Sequence, residues 1–306
     1  MTTPQFIALP HLAILDVTGE DAQSFLHAQV PSDIRTLNTE RAQISGWCTA
    51  KGRLLTTFVI WPIENGYRLV LAADVRDAIA KRLKMYVMRL KVQVAPSDDV
   101  VYGLLNPGTA LMNHSLPTVD WQVTRFERVT AIRLDSTRDL LTGPESVLLT
   151  LAASNITTNL VLWMLSDITQ GFPLVTQATS EHYVPQMVNL DKLGGVSFKK
   201  GCYPGQEIVA RTHYLGKIKR HLYRVCSAQP LVPGAEVRSN LLNGQACGSL
   251  LTTAQDAQGQ WQALAVLQQD AIEGAIYLQT DSGEQALHLI DRVLPDEAEV
   301  QQPQSS

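Results

Sequence analysis

Short apolar runs separated by turn residues dominate the N-terminal part of the chain, and one longer amphipathic segment interrupts them. Strands are predicted over 47–49, 54–61, 67–72 and 100–105. Apolar residues recur at helical spacing over 74–90, which predicts a helix whose apolar stripe is core. Strands and a helix mixed in this way predict an α+β unit, which we place at 1–110.

A weak internal repeat predicts a second unit of the same kind. Segments 15–21 and 139–145 both run from a strand-like stretch into Thr-Gly-x-acid and then into an apolar-periodic helix. Thr18 and Thr142 stand at the expected N-caps, each with a carboxylate three residues later, which predicts a capping box at both helix starts. The second unit is placed at 111–217.

The pattern changes near residue 221 to short alternating runs punctuated by Pro-Gly, Asn-Gly, Glu-Gly and Ser-Gly pairs. These features predict a small antiparallel β-barrel over 218–295. The last residues, 296–306, are acidic and Gln-rich, which predicts a disordered tail. The predicted fold class is therefore α+β, with two related units followed by a barrel.

Composition narrows the class of protein. With 306 residues, 45% hydrophobic and 18% charged, the chain can bury more than one core and is expected to be soluble and multi-domain. It shows no targeting signal and no apolar stretch of membrane length, which predicts a cytoplasmic protein without a membrane partner. The four cysteines form no C-x-x-C pair, so no metal site is predicted. A net charge of −4 gives no overall attraction to nucleic acid.

The segment 199–207, Lys-Lys-Gly-Cys-Tyr-Pro-Gly-Gln-Glu, sets a cysteine between two lysines and a predicted helix start. The apolar run 195–198 before it predicts a short strand, so Cys202 is expected in a strand-to-helix loop. Lysines and a helix N-terminus both favour a thiolate and therefore lower a thiol pKa. A free cysteine is more often a small buried hydrophobe, but the glycines and polar residues around Cys202 favour a functional one.

The same region is the only strongly basic stretch of an acidic chain. Between residues 192 and 224 a single acidic residue stands against eight basic ones: Lys192, Lys199, Lys200, Arg211, Lys217, Lys219, Arg220 and Arg224. A solvated face is the ordinary interpretation of such a cluster. Its coincidence with the cysteine loop favours an anionic ligand or partner.

A second candidate site lies on the helix predicted to end at Gly171. Trp163, Asp167 and Gln170 fall at i, i+4 and i+7, so one face combines a flat aromatic ring with two hydrogen-bonding groups. Such a face suits a planar heteroaromatic ligand, because rings stack on aromatic side chains and a carboxylate accepts from ring N–H groups. The alternative, a core tryptophan whose neighbours face solvent, stays open.

The run 194–211 resembles the signature Lys-Gly-Cys-(Phe/Tyr)-x-Gly-Gln-Glu of the YgfZ family of folate-binding, tRNA-modification-linked proteins. That family is related to the glycine-cleavage T-protein, an aminomethyltransferase, and to mitochondrial iron–sulfur assembly factors. The resemblance covers about the first 225 residues. It implies a three-domain ring with tetrahydrofolate, or a one-carbon derivative, near the centre, Trp163 against the folate and Cys202 essential to function.

Residues and resemblance together define the candidate site. Cys202 is the candidate catalytic group, and the other motif residues are Gly201, Gly205, Gln206 and Glu207. The candidate folate-binding residues are Trp163, Asp167, Gln170, Lys199, Lys200, Tyr203 and Arg211. A thiolate at Cys202 ligates iron transiently, exchanges with a persulfide or accepts a formaldehyde-derived unit, and the sequence leaves these three roles open.

Two departures from related patterns bear on the activity. Aminomethyltransferases carry an acidic residue in the strand matching 54–59 and a glutamate in the helix over 160–170. Threonines occupy these regions here, namely Thr56, Thr57 and Thr169. Leu12 stands near the position of a second folate-associated tryptophan of some members.

The function predicted first is therefore folate binding in support of iron–sulfur cluster assembly or repair, and through it tRNA modification. Folate and iron–sulfur client or assembly proteins are the expected partners. A tetrahydrofolate-dependent aminomethyl transferase ranks second, which leaves open whether the chain is an enzyme. Direct tRNA binding through the basic stretch ranks third.

Overall fold

The computed structural model describes residues 4–152, 156–157, 159–216 and 218–294. The predicted tail and Lys217 lie outside the described residues. The strands are β1 (Gln5–Ala8), β2 (Leu12–Thr18), β3 (Gln43–Cys48), β4 (Leu54–Ile63), β5 (Gly66–Ala72), β6 (Gln93–Pro96), β7 (Val100–Leu105), β8 (Ala110–Leu111), β9 (His114–Ser115), β10 (Val123–Phe126), β11 (Val129–Asp135), β12 (Arg138–Gly143), β13 (Ile156–Thr157), β14 (Arg220–Ser227), β15 (Glu236–Ser239), β16 (Ala246–Gln255), β17 (Trp261–Gln268), β18 (Ile276–Thr280) and β19 (Gly283–Arg292). The α-helices are α1 (Ala22–His27), α2 (Arg76–Val87), α3 (Glu145–Ala152), α4 (Leu160–Gln170) and α5 (Gln206–Tyr214).

The first unit is an antiparallel sheet in the order β3-β4-β5-β2-β6. Alternate residues of β5, such as Leu69 and Leu71, point into a core shared with α1 and α2. Val70, between them, points to the opposite face. This period-two alternation lets one sheet serve two cores, with helices on one side and the second unit on the other.

The second unit is a six-stranded sheet in the order β10-β11-β12-β7-β1-β13, antiparallel except where β1 meets β13. One face packs on α3, with Leu141 and Leu148 in a common core. The other face packs on the first sheet and on α4, where Leu140 and Trp163 share a core with Val59. The N-terminal strand therefore belongs to the second sheet, and the first unit is inserted between β1 and β7.

The C-terminal part is a closed antiparallel barrel in the order β14-β17-β16-β15-β18-β19, as the alternating pattern predicted. Its interior is apolar and includes Val225, Leu250 and Ala265. On the outside, Leu251 and Leu264 share a core with Ile168 of α4. The α+β class with two units and a barrel is therefore confirmed.

Both predicted capping boxes are wrong. Thr18 is the last residue of β2, and α1 follows Asp21, whose side chain makes no capping bond and instead accepts from the Lys91 amide at 2.8 Å. Thr142 lies within β12, and its hydroxyl is buried without a partner among the described residues. Strand pairing holds both threonines, which leaves neither free to cap a helix.

The strand predicted over 195–198 is also wrong, because this stretch is irregular. The Gly195 backbone runs so close to Leu190 that a Cβ there would lie 2.6 Å from its side chain. Ser197 donates one backbone hydrogen bond to Pro31, at 2.9 Å, and no β-ladder forms there. The apolar side chain of Val196 is buried by loop packing instead.

The close packing of β7 on α4 generates a stability prediction. A Cβ added to Gly103 would lie 2.2 Å from the Trp163 ring, whereas one added to Gly108 would meet nothing nearer than 3.9 Å. We expect Gly103→Ala to lower the free energy of unfolding by about 1 to 3 kcal/mol through overpacking. Gly108→Ala, the matched control, should stay within about 0.5 kcal/mol of the parent. Urea unfolding measures both, and equal midpoints would contradict the packing.

Candidate functional site

Two glycines allow the backbone of the cysteine loop to pack directly against the backbone of the first unit. Gly205 caps α5 with a φ of +83°, and a Cβ on it would lie 2.5 Å from the Thr49 carbonyl oxygen and 2.6 Å from the Gly52 Cα. Gly52, with a φ of +70°, lies against the side chain of Ile208. Backbones can approach this closely only where neither residue carries a side chain. The predicted helix start at Gly205 is thus also the contact with the turn between β3 and β4.

Lys200 and Tyr203 anchor the same loop from inside. Lys200 is 6% exposed, and its ammonium donates to the backbone carbonyls of His27 and Val30, the latter at 2.5 Å. The ammonium also lies 5.1 Å from the centre of the buried Tyr203 ring. Burial lowers the pKa of Lys200 to about 8. A cation beside the last carbonyls of α1 is favourable, so this lysine fixes the loop rather than facing a ligand in solvent.

Cys202 is the one exposed thiol among the four cysteines. Cys48 and Cys247 are buried, and burial raises the pKa of Cys48 to about 12 and that of Cys247 to about 11. Cys226 is half-buried, and burial raises its pKa as well. Gly201, beside Cys202, has open space around it. A cysteine that reacts with a partner has to be accessible to it, and Cys202 is the most accessible of the four.

The remaining motif residues divide between the loop and the solvent. The Gln206 side chain donates to the Lys200 carbonyl at 3.5 Å and closes the loop on itself. Lys199, Glu207 and Arg211 are exposed. The outward side of the motif is therefore charged, and the inward side holds its conformation.

Trp163 and Asp167 lie together on the buried face of α4, as the helical spacing predicted. Both line a cavity between the two sheets, which Leu12 and Thr57 line from the first unit. Gln170 is exposed and lies outside the cavity. Of the predicted face, Trp163 and Asp167 therefore line the same cavity, whereas Gln170 does not.

The cavity beside Trp163 is narrow and almost wholly apolar. Its open volume is about 20 Å³, which is about the room that one water molecule needs. Phe172 and Leu174, from the segment after α4, form part of its wall. A flat ligand therefore enters only if this wall opens.

Arg138 is the site residue that sequence reasoning missed. Its guanidinium donates to the carboxylates of Asp167 and Asp135, the latter at 2.7 Å. It also lies 5.6 Å from the centre of the Trp163 ring and 5.4 Å from that of Phe172. Burial raises the pKa of Asp167 to about 6 in spite of this partner. The sequence signal that indicated a buried charge here was the pair Arg138 and Asp139 at the start of β12, just before Leu140 and Leu141.

The threonines that replace the expected carboxylates have structural partners. The Thr57 hydroxyl donates to the Pro173 carbonyl at 2.8 Å and accepts from the Val175 amide at 3.0 Å. Thr56 donates more weakly to the Val175 carbonyl, at 3.4 Å. Thr169 is exposed and donates to a carbonyl of its own helix. The first two therefore bind the segment after α4 to β4.

A second cavity of about 250 Å³ lies where both units and the barrel meet. Its walls include His11, Met164, Leu174, Pro233 and Thr252, and Leu174 also lines the first cavity. The His11 Nδ1 and the Thr252 hydroxyl are buried without a hydrogen-bond partner among the described residues. Burial lowers the pKa of His11 to about 4, which keeps the imidazole neutral near pH 7.

The predicted folate-binding residues of the cysteine loop and α5 lie elsewhere. Lys199, Lys200, Tyr203 and Arg211 line neither cavity. The structure therefore separates an apolar site around Trp163 from a charged surface around Cys202.

Two general features complete the site description. Within the described ranges, no three His, Cys, Asp or Glu side chains group together as ligands for a metal ion. The longest described helix, α2, has 12 residues. No helix in that part of the chain is long and apolar enough to cross a membrane.

Comparison with known proteins shows clear relatives. No family model matches the chain. The tRNA-modifying proteins YgfZ of Vibrio vulnificus strains YJ016 and CMCP6 are each 32% identical over 271 residues, which is 86% of this chain and 83% of the relative. Among solved structures, the glycine cleavage system aminomethyltransferase T of Bartonella henselae superposes with a TM-score of 0.71. That match covers 94% of this chain and 84% of the enzyme at 15% identity.

The two comparisons establish different things. At 15% identity, the likeness to aminomethyltransferase T concerns the fold, and it confirms the predicted T-protein-like architecture. The identity to the YgfZ proteins extends over most of both chains and confirms the resemblance carried by the motif at 199–207. The chain belongs to the YgfZ family of tRNA-modifying proteins.

Proposed function

We propose that this protein binds tetrahydrofolate, or a one-carbon derivative, in the cytoplasm and supports iron–sulfur cluster assembly or repair, and through it tRNA modification. Cys202 is its reacting group. The relatives named for tRNA modification and the fold shared with an aminomethyltransferase support this proposal. The observation that carries it is the exposed Cys202 thiol on a loop anchored to the unit that lines both cavities.

Buried polar atoms without hydrogen-bond partners support ligand binding in the larger cavity, where both units and the barrel meet. A buried polar group without a hydrogen bond costs about 1 to 3 kcal/mol, and the His11 Nδ1 and the Thr252 hydroxyl both lack one among the described residues. A ligand with donors and acceptors removes that cost. The amide that links the p-aminobenzoyl and glutamate parts of folate offers such groups.

The smaller cavity is the proposed place of the pterin part of the same ligand, which enters once the wall of Phe172 and Leu174 opens. Trp163 offers an aromatic surface there, and Asp167 offers a carboxylate able to accept from ring N–H groups. Leu174 lines both cavities, so a ligand that spans them passes this side chain. Tetrahydrofolate supplies a one-carbon carrier when bound, and the chain's own residues supply the apolar walls that exclude water.

A one-carbon transferase is the less favoured activity. Asp167 is the one carboxylate in the wall of the smaller cavity among the described residues, and Arg138 already pairs with it. Thr57 is engaged by two backbone groups and cannot act as a base at neutral pH. Methylene transfer needs a group that moves protons at the folate, and these side chains do not provide a free one.

The surroundings of Cys202 favour chemistry with a partner protein. The thiol is exposed, whereas Trp163 and Asp167 are buried in the cavity wall. An exposed thiol on an outward loop is accessible to the iron or sulfur of a client. We therefore assign folate recognition to the interior and the thiol chemistry to the surface.

Trp163→Phe tests the folate site. We expect tetrahydrofolate affinity, measured by calorimetry under anaerobic conditions, to fall by up to about tenfold, because complete loss of an aromatic contact with a base-like ring costs about 1 to 3 kcal/mol and the smaller phenylalanine ring keeps part of that contact. Trp61→Phe is the matched control, since Trp61 is buried in the same core but does not line the cavity. Equal affinities for parent and Trp163→Phe would remove Trp163 from the site.

Cys202→Ser tests the thiol. We expect this variant to lose complementation of a defect in an iron–sulfur enzyme while its unfolding free energy stays within about 0.5 kcal/mol of the parent, because the side chain is exposed. Cys226→Ser, at a half-buried cysteine of the barrel, should retain complementation. Full activity of Cys202→Ser would exclude a chemical role for this residue.

A further inference from the structure

An aromatic and basic surface covers the exposed side of the cysteine loop and α5. The rings of Phe198 and His213 stack with centres 3.7 Å apart and planes 11° apart. Tyr214 meets both rings edge-on, at 6.1 Å from Phe198 and 4.7 Å from His213. Lys199 follows Phe198 in the chain, and Arg211 lies one turn before Tyr214 on α5. We call these five residues the α5 surface.

The rings of the α5 surface are open to solvent. Tyr214 is 65% exposed and His213 is also exposed, whereas Phe198 is half-buried beneath them. Leu215 next to Tyr214 is 84% exposed. Stacked rings that remain accessible in a folded chain offer a ready-made platform for another flat ring.

The charges of the α5 surface are free. Lys199 and Arg211 are exposed and form no ion pair among the described residues. Two carboxyl groups lie nearby. Glu207 is exposed on α5, and Asp191 is half-buried near His213, where burial raises its pKa. The exposed charge of this surface is thus predominantly positive in a chain whose net charge is −4.

Neither Lys199 nor Arg211 lines either of the two cavities, so a ligand bound inside them does not contact these cations. We infer that the α5 surface binds single-stranded RNA, with a base on Tyr214 and the Phe198–His213 stack and phosphates on Lys199 and Arg211. This function goes beyond the proposed folate and iron–sulfur role. RNA is the partner that matches both properties, because it combines flat rings with a regular row of anions. An exposed side-chain ring reaches bases that are splayed out, which selects loops and single strands over duplexes.

Fluorescence anisotropy with a labelled single-stranded oligoribonucleotide tests the inference on the full-length protein. We expect binding at low salt whose affinity falls linearly on a log–log plot against salt, with a slope of about −0.7 for each phosphate contact. Arg211→Gln should reduce the magnitude of that slope by about 0.7. Tyr214→Ala should weaken binding roughly 5- to 150-fold and leave the slope unchanged. The same strand annealed into a duplex should bind more weakly.

Two exposed residues just after the end of α2 provide matched controls. Arg89→Gln removes an exposed cation, and Met88→Ala removes a side chain that is 88% exposed. Met88→Ala should leave the affinity for RNA unchanged. Arg89→Gln should lower that affinity only by the small amount that one fewer positive charge on the whole protein causes. No binding at low salt, or equal effects of Arg211→Gln and Arg89→Gln, would overturn the inference and leave the surface to a protein partner. Because the readout is RNA binding alone, it is independent of the folate and thiol experiments.

Discussion

The buried guanidinium of Arg138 is the interaction on which the candidate site depends. It forms ion pairs with Asp167 of α4 and with Asp135 at the end of β11, and it lies near the rings of Trp163 and Phe172. Transferring these charges from water is costly, and losing one partner of such a pair costs about 3 to 5 kcal/mol because the other charge is left buried. One side chain thus links α4 to the second sheet beside the cavity.

A second constraint joins the cavity to the cysteine. Gly205 and Gly52 bring the backbones of the two units into contact, and Lys200 adds hydrogen bonds to the end of α1. These contacts are short, backbone-directed and buried, so the loop cannot shift relative to the first sheet without losing them. The outward thiol and the inward cavity are therefore features of one packed body, although they face different surroundings.

Local signals account for what the sequence predicted well. The glycine at 171 ends α4 in a left-handed conformation, as its position before Pro173 indicated, and the alternating C-terminal runs form the barrel. Long-range contacts account for what it did not predict. The sequence predicted Lys200 as an anion ligand, but its partners, the carbonyls of His27 and Val30, lie 173 and 170 positions away in the chain. Periodicity carries no information on such pairs, since burial of a polar residue is decided by the elements that cover it.

The placement of β1 has a consequence for how the chain is assembled. Its partner β7 begins only at Val100, and its parallel partner β13 only at Ile156. During synthesis β1 therefore has no strand partner until β7 has been made, whereas every strand of the inserted unit over 12–96 precedes β7. Closing that sheet brings the two flanking strands near each other and shortens the effective loop between them. The inserted unit thus lowers the entropy cost of pairing β1 with β7.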